Sequence, residues 1–209
     1  MHDEPTVFVV DDDEGMRKSV RWLIESAGLN VETYPSAKDF LDAYDPSRPG
    51  CLVLDVRMSD LSGLELQEKL AAKEITLPII FITAHGSVAA AVRAMRGGAI
   101  DYIVKPFDHE ALLGRIEHCV KRDREIRRER AWRAEVVTRF ALLTAREREV
   151  MERVIAGKPN KVIAAELNLS HKTVEAHRAR VMEKMQAGSV ADLIRMALAR
   201  GGEGTKGIP

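Results

Sequence analysis

The sequence has few cysteines and no long hydrophobic run. No apolar stretch approaches the roughly 20 residues that a membrane-spanning helix needs, and residues 1–5 lack the basic and apolar regions of a signal peptide. We therefore expect a cytoplasmic protein with no membrane partner. Cys51 and Cys119 both fall in predicted core elements, without a second cysteine or histidine at metal-ligand spacing. This pattern favours buried thiols over a disulfide or a metal site.

The chain as a whole has no net charge, because its 32 Lys and Arg residues balance its 32 Asp and Glu residues. Its two halves are not balanced. Residues 1–120 contain 20 acidic and 12 basic side chains, whereas residues 121–209 contain 12 acidic and 20 basic ones. This asymmetry suggests two domains with separate roles and favours polyanion binding by the second. A solvated linker is the alternative, since six of the basic residues lie in residues 121–130.

Five short apolar segments, each followed by a helical pattern, occupy the first part of the chain. The predicted strands cover residues 6–10, 31–34, 51–55, 78–83 and 100–104. The first predicted helix runs from Met16 to Ala27, and Ser36 is a candidate N-cap for the second. Five βα units in about 120 residues predict the α/β class with a doubly wound parallel sheet.

Polar side chains stand where four of the predicted strands end. They are Asp11 and Asp12 after the first strand, Asp55 in the third, Thr83 in the fourth and Lys105 after the fifth. Because open parallel sheets place ligand sites at these ends, we expect the five side chains to converge. Three converging carboxylates repel each other, which a hard cation such as Mg²⁺ would relieve. A carboxylate can then accept a phosphoryl group whose charge the metal, the lysine and the hydroxyl neutralise.

These five residues, with Ala84 and Pro106-Phe107 beside them, resemble the receiver domain of two-component response regulators over about residues 5–120. The resemblance implies a five-stranded flavodoxin-like fold in which Asp55 accepts phosphate from a sensor histidine kinase. It also implies individual roles: Asp12 as a direct Mg²⁺ ligand, Asp11 as a ligand through water, Asp55 and the Arg57 carbonyl as further metal contacts, Thr83 and Lys105 as phosphate contacts, and Tyr102 as an aromatic switch that turns inward when Thr83 moves.

Three positions near this predicted site need their own interpretation. The chain reads Met58-Ser59 where the receiver family usually has Met-Pro, which suggests a looser loop after the phosphoacceptor but removes no chemical role. His85 precedes Gly86 and is interpreted as a loop residue, not as an acid–base group. The peptide bond between Lys105 and the following proline can be cis, which would aim the lysine back into the cleft.

Residues 121–130 are charged except for Ile126, and opposite charges recur at helical spacing, as in Asp123 and Arg127. This pattern predicts a solvent-exposed helix that continues the fifth helix, so we assign residues 121–140 to a helical charged linker. Its apolar positions are too interrupted for a clean coiled-coil heptad. Trp132 either packs against a neighbouring domain or stays exposed.

Four short helices are predicted in residues 141–200. They begin near Thr144, Lys161, Ser170 and Ser189, and residues 201–209 are predicted to be a disordered tail. Thr144 with Glu147 has the pattern of a capping box, and Ser170 is a candidate N-cap. A helix, a tight turn and a second helix form a supersecondary unit that binds DNA.

The third of these helices has one apolar and one polar face. At about 100° per residue, Val174, Val181 and Met185 point inwards, and His177 beside them is interpreted as a packed core histidine. The outer face carries Lys172, Ala176, Ala179 and Glu183, flanked by Thr173, Glu175 and Arg180. Its small residues would let the backbone approach a groove, although a charged outer face is by default only solvated. Arg178 lies near the buried edge and is assigned no base contact.

Segments that begin at Leu143, Gly157 and Ser170 resemble the LuxR-type helix-turn-helix, and the receiver with this domain resembles the FixJ/NarL group of transcription factors. On that resemblance the base-facing residues are Lys172, Thr173, Glu175, Ala176 and Ala179, and the phosphate contacts are Thr144, Lys161 and Arg180. A glutamate can accept a hydrogen bond from cytosine, and an alanine can contact the thymine methyl group. The implied domains are a receiver in 1–120, a linker in 121–140 and a DNA-binding domain in 141–200.

The resemblance implies a transcription regulator and not an enzyme. Phosphorylation would remodel the surface around Val92, Arg96 and Asp101, which resembles the family's dimerisation face, and a homodimer would then bind double-stranded promoter DNA. RNA polymerase is a further candidate partner.

Two alternatives stay open. Asp11 and Asp13 also fit the D-x-D motif of aspartyl-phosphatases of the haloacid dehalogenase type, with Lys105 as their lysine. The receiver could instead be a docking module that no longer takes phosphate, an alternative for which Ser59 is the one small support.

Overall fold

The computed structural model describes residues 4–84 and 86–201, and for Gly201 only the backbone. These residues divide into two compact units, and the division falls between Arg127 and Arg128. His85 and the predicted tail after Gly201 lie outside the described residues. No helix in the described ranges is long and apolar enough to cross a membrane.

The first unit is a parallel sheet with helices on both faces. Its strands are β1 (Thr6–Val10), β2 (Asn30–Tyr34), β3 (Gly50–Asp55), β4 (Ile79–Thr83) and β5 (Asp101–Val104). The helices that follow them are α1 (Glu14–Ser26), α2 (Ala37–Ala43), α3 (Gly63–Ala72), α4 (Val88–Arg96) and α5 (His109–Ala141). The strand order is β2-β1-β3-β4-β5, and every neighbouring pair is parallel. The predicted doubly wound, flavodoxin-like fold is confirmed.

The central strand β3 is buried on both faces. Leu52 and Leu54 pack into an apolar cluster with side chains of α2, α3 and α4. Cys51 and Val53 pack into a second cluster with side chains of α1 and α5. Burial on both faces explains why this strand is an unbroken apolar run with no alternation. Both cysteines are buried and free, as the sequence predicted.

Capping side chains set where the helices begin, and one of them corrects a predicted boundary. Asp13 accepts the backbone N–H of Met16 and caps α1, which therefore begins at Glu14, before the predicted start. Ser36 caps α2 as predicted. For the other strands and helices, the predicted and observed boundaries differ little. Strand β5, for example, begins at Asp101 and not at the preceding isoleucine.

Helix α5 extends beyond the sheet. The structure corrects the prediction that the linker part of this helix is exposed to solvent throughout. Asp123 is only 1% exposed. Its Oδ2 accepts the N–H of Gly50 at 2.9 Å and Nε–H of Arg127 at 2.7 Å. Arg127 also donates to the carbonyl oxygens of residues 46, 47 and 48. The predicted i, i+4 pair therefore fastens α5 to the loop before β3.

The second unit packs the end of α5 against four helices. They are α6 (Ala145–Ile155), α7 (Asn160–Leu167), α8 (His171–Met185) and α9 (Val190–Gly201). The predicted capping box of Thr144 and Glu147 is present, and Ser170 caps α8. Trp132 is partly buried against the apolar core of this unit, with the Arg195 guanidinium 5.5 Å from its ring centroid.

Candidate functional site

The carboxyl ends of the strands bring three charged side chains together. The register of β1 and β3 pairs Val10 with Leu54, so Asp11 and Asp55, which follow this pair, are neighbours. Lys105 follows β5, and its peptide bond to the next residue is cis. Its Nζ lies 2.8 Å from Asp11 Oδ2 and 3.3 Å from Asp55 Oδ1. The lysine therefore bridges the two carboxylates.

Burial and charge act in opposite directions on these groups. Burial raises the pKa of Asp55 above its ordinary value, although the Lys105 ammonium and the N–H of Arg57 oppose the rise. Burial alone would lower the pKa of Lys105, but its hydrogen bonds to Asp11 and Asp55, and their charges, raise it overall. The carboxylate of Asp55 is thus held beside a positive charge in a partly desolvated site, where charge interactions are stronger than in water.

Asp12 lies at the exposed rim of the same cluster. Its Oδ2 accepts the N–H of Ser59 at 3.0 Å, and Asp55 Oδ2 accepts the N–H of Arg57 at 2.7 Å. Both donors belong to the loop between β3 and α3, which therefore contacts two of the carboxylates. Where the sequence suggested a looser loop, Ser59 provides a link that a proline, which has no N–H, could not make.

The oxygen donors of this cluster fit the chemistry of a magnesium ion. In residues 4–84 and 86–201 no three His, Cys, Asp or Glu side chains are grouped closely enough to hold a metal. Instead, the Lys105 ammonium lies between Asp11 and Asp55. Mg²⁺ commonly takes one or two protein carboxylates and retains several waters. Asp12, Asp55 and the Arg57 carbonyl match that small set of hard ligands.

Thr83 and Tyr102 connect the cluster to the interior of the sheet. Thr83 is buried at the end of β4, and its carbonyl oxygen accepts the N–H of Lys105 at 2.8 Å. The ring of Tyr102 lies 6.2 Å from that of Phe81. Its hydroxyl is buried and has no hydrogen-bond partner among the residues that the structure describes. The aromatic residue predicted to switch is therefore partly buried, with its hydroxyl group buried in this structure.

The residues predicted for dimerisation lie on α4 and β5. Val92 is 44% exposed and Arg96 is exposed. Asp101 is partly buried and forms an ion pair with Arg115 at 3.0 Å. Val88, Met95 and Val104 add exposed apolar side chains to the same two elements. Clustered exposed apolar side chains of this kind mark interaction surfaces.

The residues predicted to contact DNA lie on α7 and α8, except for Thr144, which caps α6. Those that are exposed are Thr144, Lys161, Lys172, Glu175, Ala176, Ala179 and Arg180. Thr173 is partly buried, and its hydroxyl lies 2.8 Å from the Ser170 hydroxyl. His177, predicted to be a packed core histidine, is partly buried, and its Nδ1 is buried with no hydrogen-bond partner among the described residues. Arg178 donates to Asn160 Oδ1 at 2.6 Å.

Two contacts at these sites were not predicted from the sequence. Arg17 Nη1 donates to the carbonyl oxygen of Asp11 at 2.7 Å, from the first turns of α1. Glu147, found as the capping-box residue of α6, also accepts a hydrogen bond from Lys184 Nζ at 2.7 Å. That bond, with those from Thr144, lowers the pKa of Glu147 to about 2. Because Lys184 is 37 residues away, no local pattern points to it.

Both units match known protein families. Residues 7–117 match the response regulator receiver domain, and residues 141–197 match the luxR family of bacterial regulatory proteins. The transcriptional regulatory protein FixJ of Azorhizobium caulinodans is 46% identical over 195 residues, which cover 93% of this chain and 92% of that protein. The chain belongs to the FixJ/NarL family of response regulators. Nodulation protein W of Bradyrhizobium diazoefficiens is 47% identical, covering 91% of this chain and 84% of that protein.

Solved structures of response regulators resemble this FixJ/NarL protein over most of its length. The response regulator StyR has a TM-score of 0.85 and 45% identity, covering 93% of this chain and 98% of StyR. Full-length FixJ from B. japonicum has a TM-score of 0.58 and 40% identity, with 95% and 98% coverage. The FixJ/NarL chain is therefore a two-component transcription regulator with a receiver and a LuxR-type DNA-binding domain.

Proposed function

We propose that this regulator accepts a phosphoryl group on Asp55 from a sensor histidine kinase, dimerises and then binds promoter DNA. The observation that carries the proposal is the Lys105 ammonium, which contacts both Asp11 and Asp55 in a buried site. A carboxylate nucleophile beside a fixed positive charge suits phosphoryl transfer. We assign the receiver to residues 1–120, the linker to 121–140 and the DNA-binding domain to 141–200.

In the proposed transfer, Asp55 Oδ1 attacks the phosphorus of the kinase phosphohistidine, and the bond from phosphorus to the imidazole nitrogen breaks. The N–H of Arg57 holds Oδ2 at 2.7 Å, which leaves Oδ1, with its longer 3.3 Å contact to Lys105, as the nucleophile. The Lys105 ammonium and the Thr83 hydroxyl stabilise charge on the transferred oxygens. Asp12, Asp55 and the Arg57 carbonyl would hold Mg²⁺, with Asp11 acting through water, and the bound ion would supply further positive charge there.

The switch that we propose passes from β4 to β5. These strands are paired, with Thr83 opposite Val104. Movement of Thr83 toward the phosphoryl group shifts Tyr102 and remodels the surface of Val92, Arg96 and Asp101, where a second copy binds. To move such a switch from almost fully off to almost fully on, phosphorylation must supply about 5.5 kcal/mol of differential stabilisation.

For DNA binding, the support is the exposed face of α8. Ala176 and Ala179 lie along the centre of this face and are exposed, so the backbone can approach the bases. The proposed base contacts are Lys172, Thr173, Glu175, Ala176 and Ala179, and the proposed phosphate contacts are Thr144, Lys161 and Arg180. Base contacts would specify the sequence, whereas phosphate contacts would fix the position of the helix in the groove. RNA polymerase is a candidate partner of the DNA-bound dimer.

The experiment that tests this function is intact mass measurement after incubation with acetyl phosphate and Mg²⁺. We expect wild type to gain one phosphoryl group, whereas Asp55→Asn and a chelator control gain none. No gain by the wild type would contradict the proposal and favour the docking-module alternative. Continuous hydrolysis of an external phosphate ester would instead support the phosphatase alternative.

A further inference from the structure

The loop between β3 and α3 is joined to the end of β1 by a main-chain hydrogen bond. The N–H of Ser59 donates to Asp12 Oδ2 at 3.0 Å, across 47 residues of sequence. Both residues are exposed, so packing does not hold the Asp12 side chain in place. The hydrogen bond therefore restrains a side chain that would otherwise sample several staggered rotamers.

The same hydrogen bond leaves Oδ1 of the Asp12 carboxylate free to bind a cation. A carboxylate has about four acceptor positions on its two oxygens, and among the described residues only Oδ2 of Asp12 accepts a hydrogen bond. Arg57, whose carbonyl oxygen is a proposed metal ligand, is fixed in the same loop through its own N–H, which binds Asp55 Oδ2. Two main-chain N–H groups of one loop, those of Arg57 and Ser59, thus restrain groups proposed to bind one cation.

We propose that the Ser59 N–H is a positioning group for Asp12 as a magnesium ligand. It holds Oδ2 so that Oδ1 is presented to the cation together with the Arg57 carbonyl. The inference rests on the magnesium site of the proposed function and adds a contribution from the main chain. Every residue except proline has this N–H, so the effect depends on the backbone and not on the serine hydroxyl.

Ser59→Pro and Ser59→Ala form a matched pair, because proline removes the N–H and alanine keeps it. Isothermal titration of the full chain with Mg²⁺ should give the same affinity for Ser59→Ala as for wild type. For Ser59→Pro we expect an affinity about two- to tenfold lower, since binding must then immobilise the Asp12 side chain. Circular dichroism of the metal-free variants checks that both are folded.

The outcomes separate this proposal from the function on which it rests. Equal or tighter Mg²⁺ binding by Ser59→Pro overturns the positioning role and leaves the metal site standing. A wild type that binds no Mg²⁺ overturns both. As a reference for loss of a ligand, Asp12→Ala should abolish most of the binding.

A second measurement does not depend on the folding of the proline variant. Amide hydrogen exchange by NMR compares metal-free wild type with Asp12→Ala, which lacks the acceptor. We expect Ser59 N–H to exchange several-fold faster in the variant. The N–H of Gly63, the first residue of α3, donates to the Val56 carbonyl of this loop at 3.0 Å and should be unchanged. Equal exchange of Ser59 in both proteins would overturn the proposal.

Discussion

At the scale of single residues, burial decides which charged side chains contribute most to the stability of the fold. Lys105 is 13% exposed and contacts two buried carboxylates, whereas Lys18 and Glu14 form an ion pair with 75% and 70% exposure. Exposed pairs of the second kind contribute about 0–1 kcal/mol. Removing one partner of a buried pair costs about 3–5 kcal/mol, because the other charge stays buried. The spacing of charged residues in the sequence does not distinguish buried ion pairs from exposed ones.

Glu147 gives a prediction for acid stability. Its pKa is lowered from 4.5 to about 2, so its charge stabilises the second unit above pH 4.5, and this contribution is lost as the pH falls toward 2. Glu147→Gln removes the ionic bond to Lys184 but can still cap α6. We expect the free energy of unfolding of Glu147→Gln to be about 1–2 kcal/mol lower than that of wild type at neutral pH. On acidification the variant should lose less stability than wild type does.

Urea unfolding followed by tryptophan fluorescence measures this effect. The chain has two tryptophans, Trp22 in the first unit and Trp132 in the second, so a Trp22→Phe background reports on the second alone. Glu152→Gln, an exposed glutamate on the same helix, is the control and should change stability by less than about 0.5 kcal/mol. The prediction is contradicted if both variants lose equal stability.

At the scale of elements, α5 contributes to two separate cores. Leu112 and Ile116 pack beneath the sheet, and Val136 is buried in the second unit. Between them, Asp123 and Arg127 fasten the helix to the loop before β3. Residues 128–131 are exposed throughout. A segment whose composition predicts a solvated linker is thus partly a structural element of the receiver.

Asp123→Ala tests the contribution of this contact. We expect the free energy of unfolding of the first unit to fall by about 2–3 kcal/mol, because the buried Gly50 N–H and the partly buried Arg127 both lose their partner. Hydrogen exchange of the buried β3 amides reports on this unit. Lys18→Ala, which breaks an exposed i, i+4 pair of α1 in the same unit, is the matched control and should cost less than about 0.5 kcal/mol. Equal losses would show that the buried contact adds nothing.

At the scale of the whole molecule, the number of basic residues in 121–209 is larger than the number of basic side chains that are free to contact DNA. Arg153 and Lys158 both pair with Glu166. The Lys161 side chain, in contrast, is exposed and forms no hydrogen bond or ion pair with any described residue. Phosphate contacts should therefore come from a few unpaired side chains and not from the basic residues in general.

Salt dependence of binding to a mixed-sequence DNA duplex tests this distinction. Lys161→Gln should reduce the slope of log affinity against log salt by about 1, the value for one lost phosphate contact. Lys158→Gln changes a neighbouring lysine that is already paired and should leave the slope unchanged. Fluorescence anisotropy across a range of salt concentrations measures both. Equal slopes for wild type and Lys161→Gln would exclude a phosphate contact at this position.

The proposed dimer gives a second prediction at this scale. Val92→Lys places a charge in the exposed apolar surface of α4, so it should prevent dimerisation after treatment with acetyl phosphate without preventing phosphorylation of Asp55. Trp22→Lys, which alters an exposed apolar side chain of α1, is the control and should still dimerise. Sedimentation velocity gives the oligomeric state, and intact mass gives the phosphorylation. A dimeric Val92→Lys would place the interface elsewhere.

The sequence by itself determined the features that depend on local patterns. Apolar runs and helical spacing predicted the five strands and their helices. The strand-end rule predicted five converging side chains, of which Asp11, Asp55 and Lys105 are in direct contact. The Thr144 capping box was also predicted, because its two hydrogen bonds join residues three positions apart. These features are encoded by neighbours in the chain, so they can be predicted without the fold.

Only the tertiary structure decided the contacts between distant segments. Asp123 is buried because Gly50 lies beside α5, and Asp12 is restrained because the Ser59 N–H reaches it. Glu147 has a low pKa because α8 brings Lys184 to it. Burial and hydrogen bonding at these positions depend on packing across many residues, so a side chain that is only charged in the sequence becomes a buried anchor in the fold.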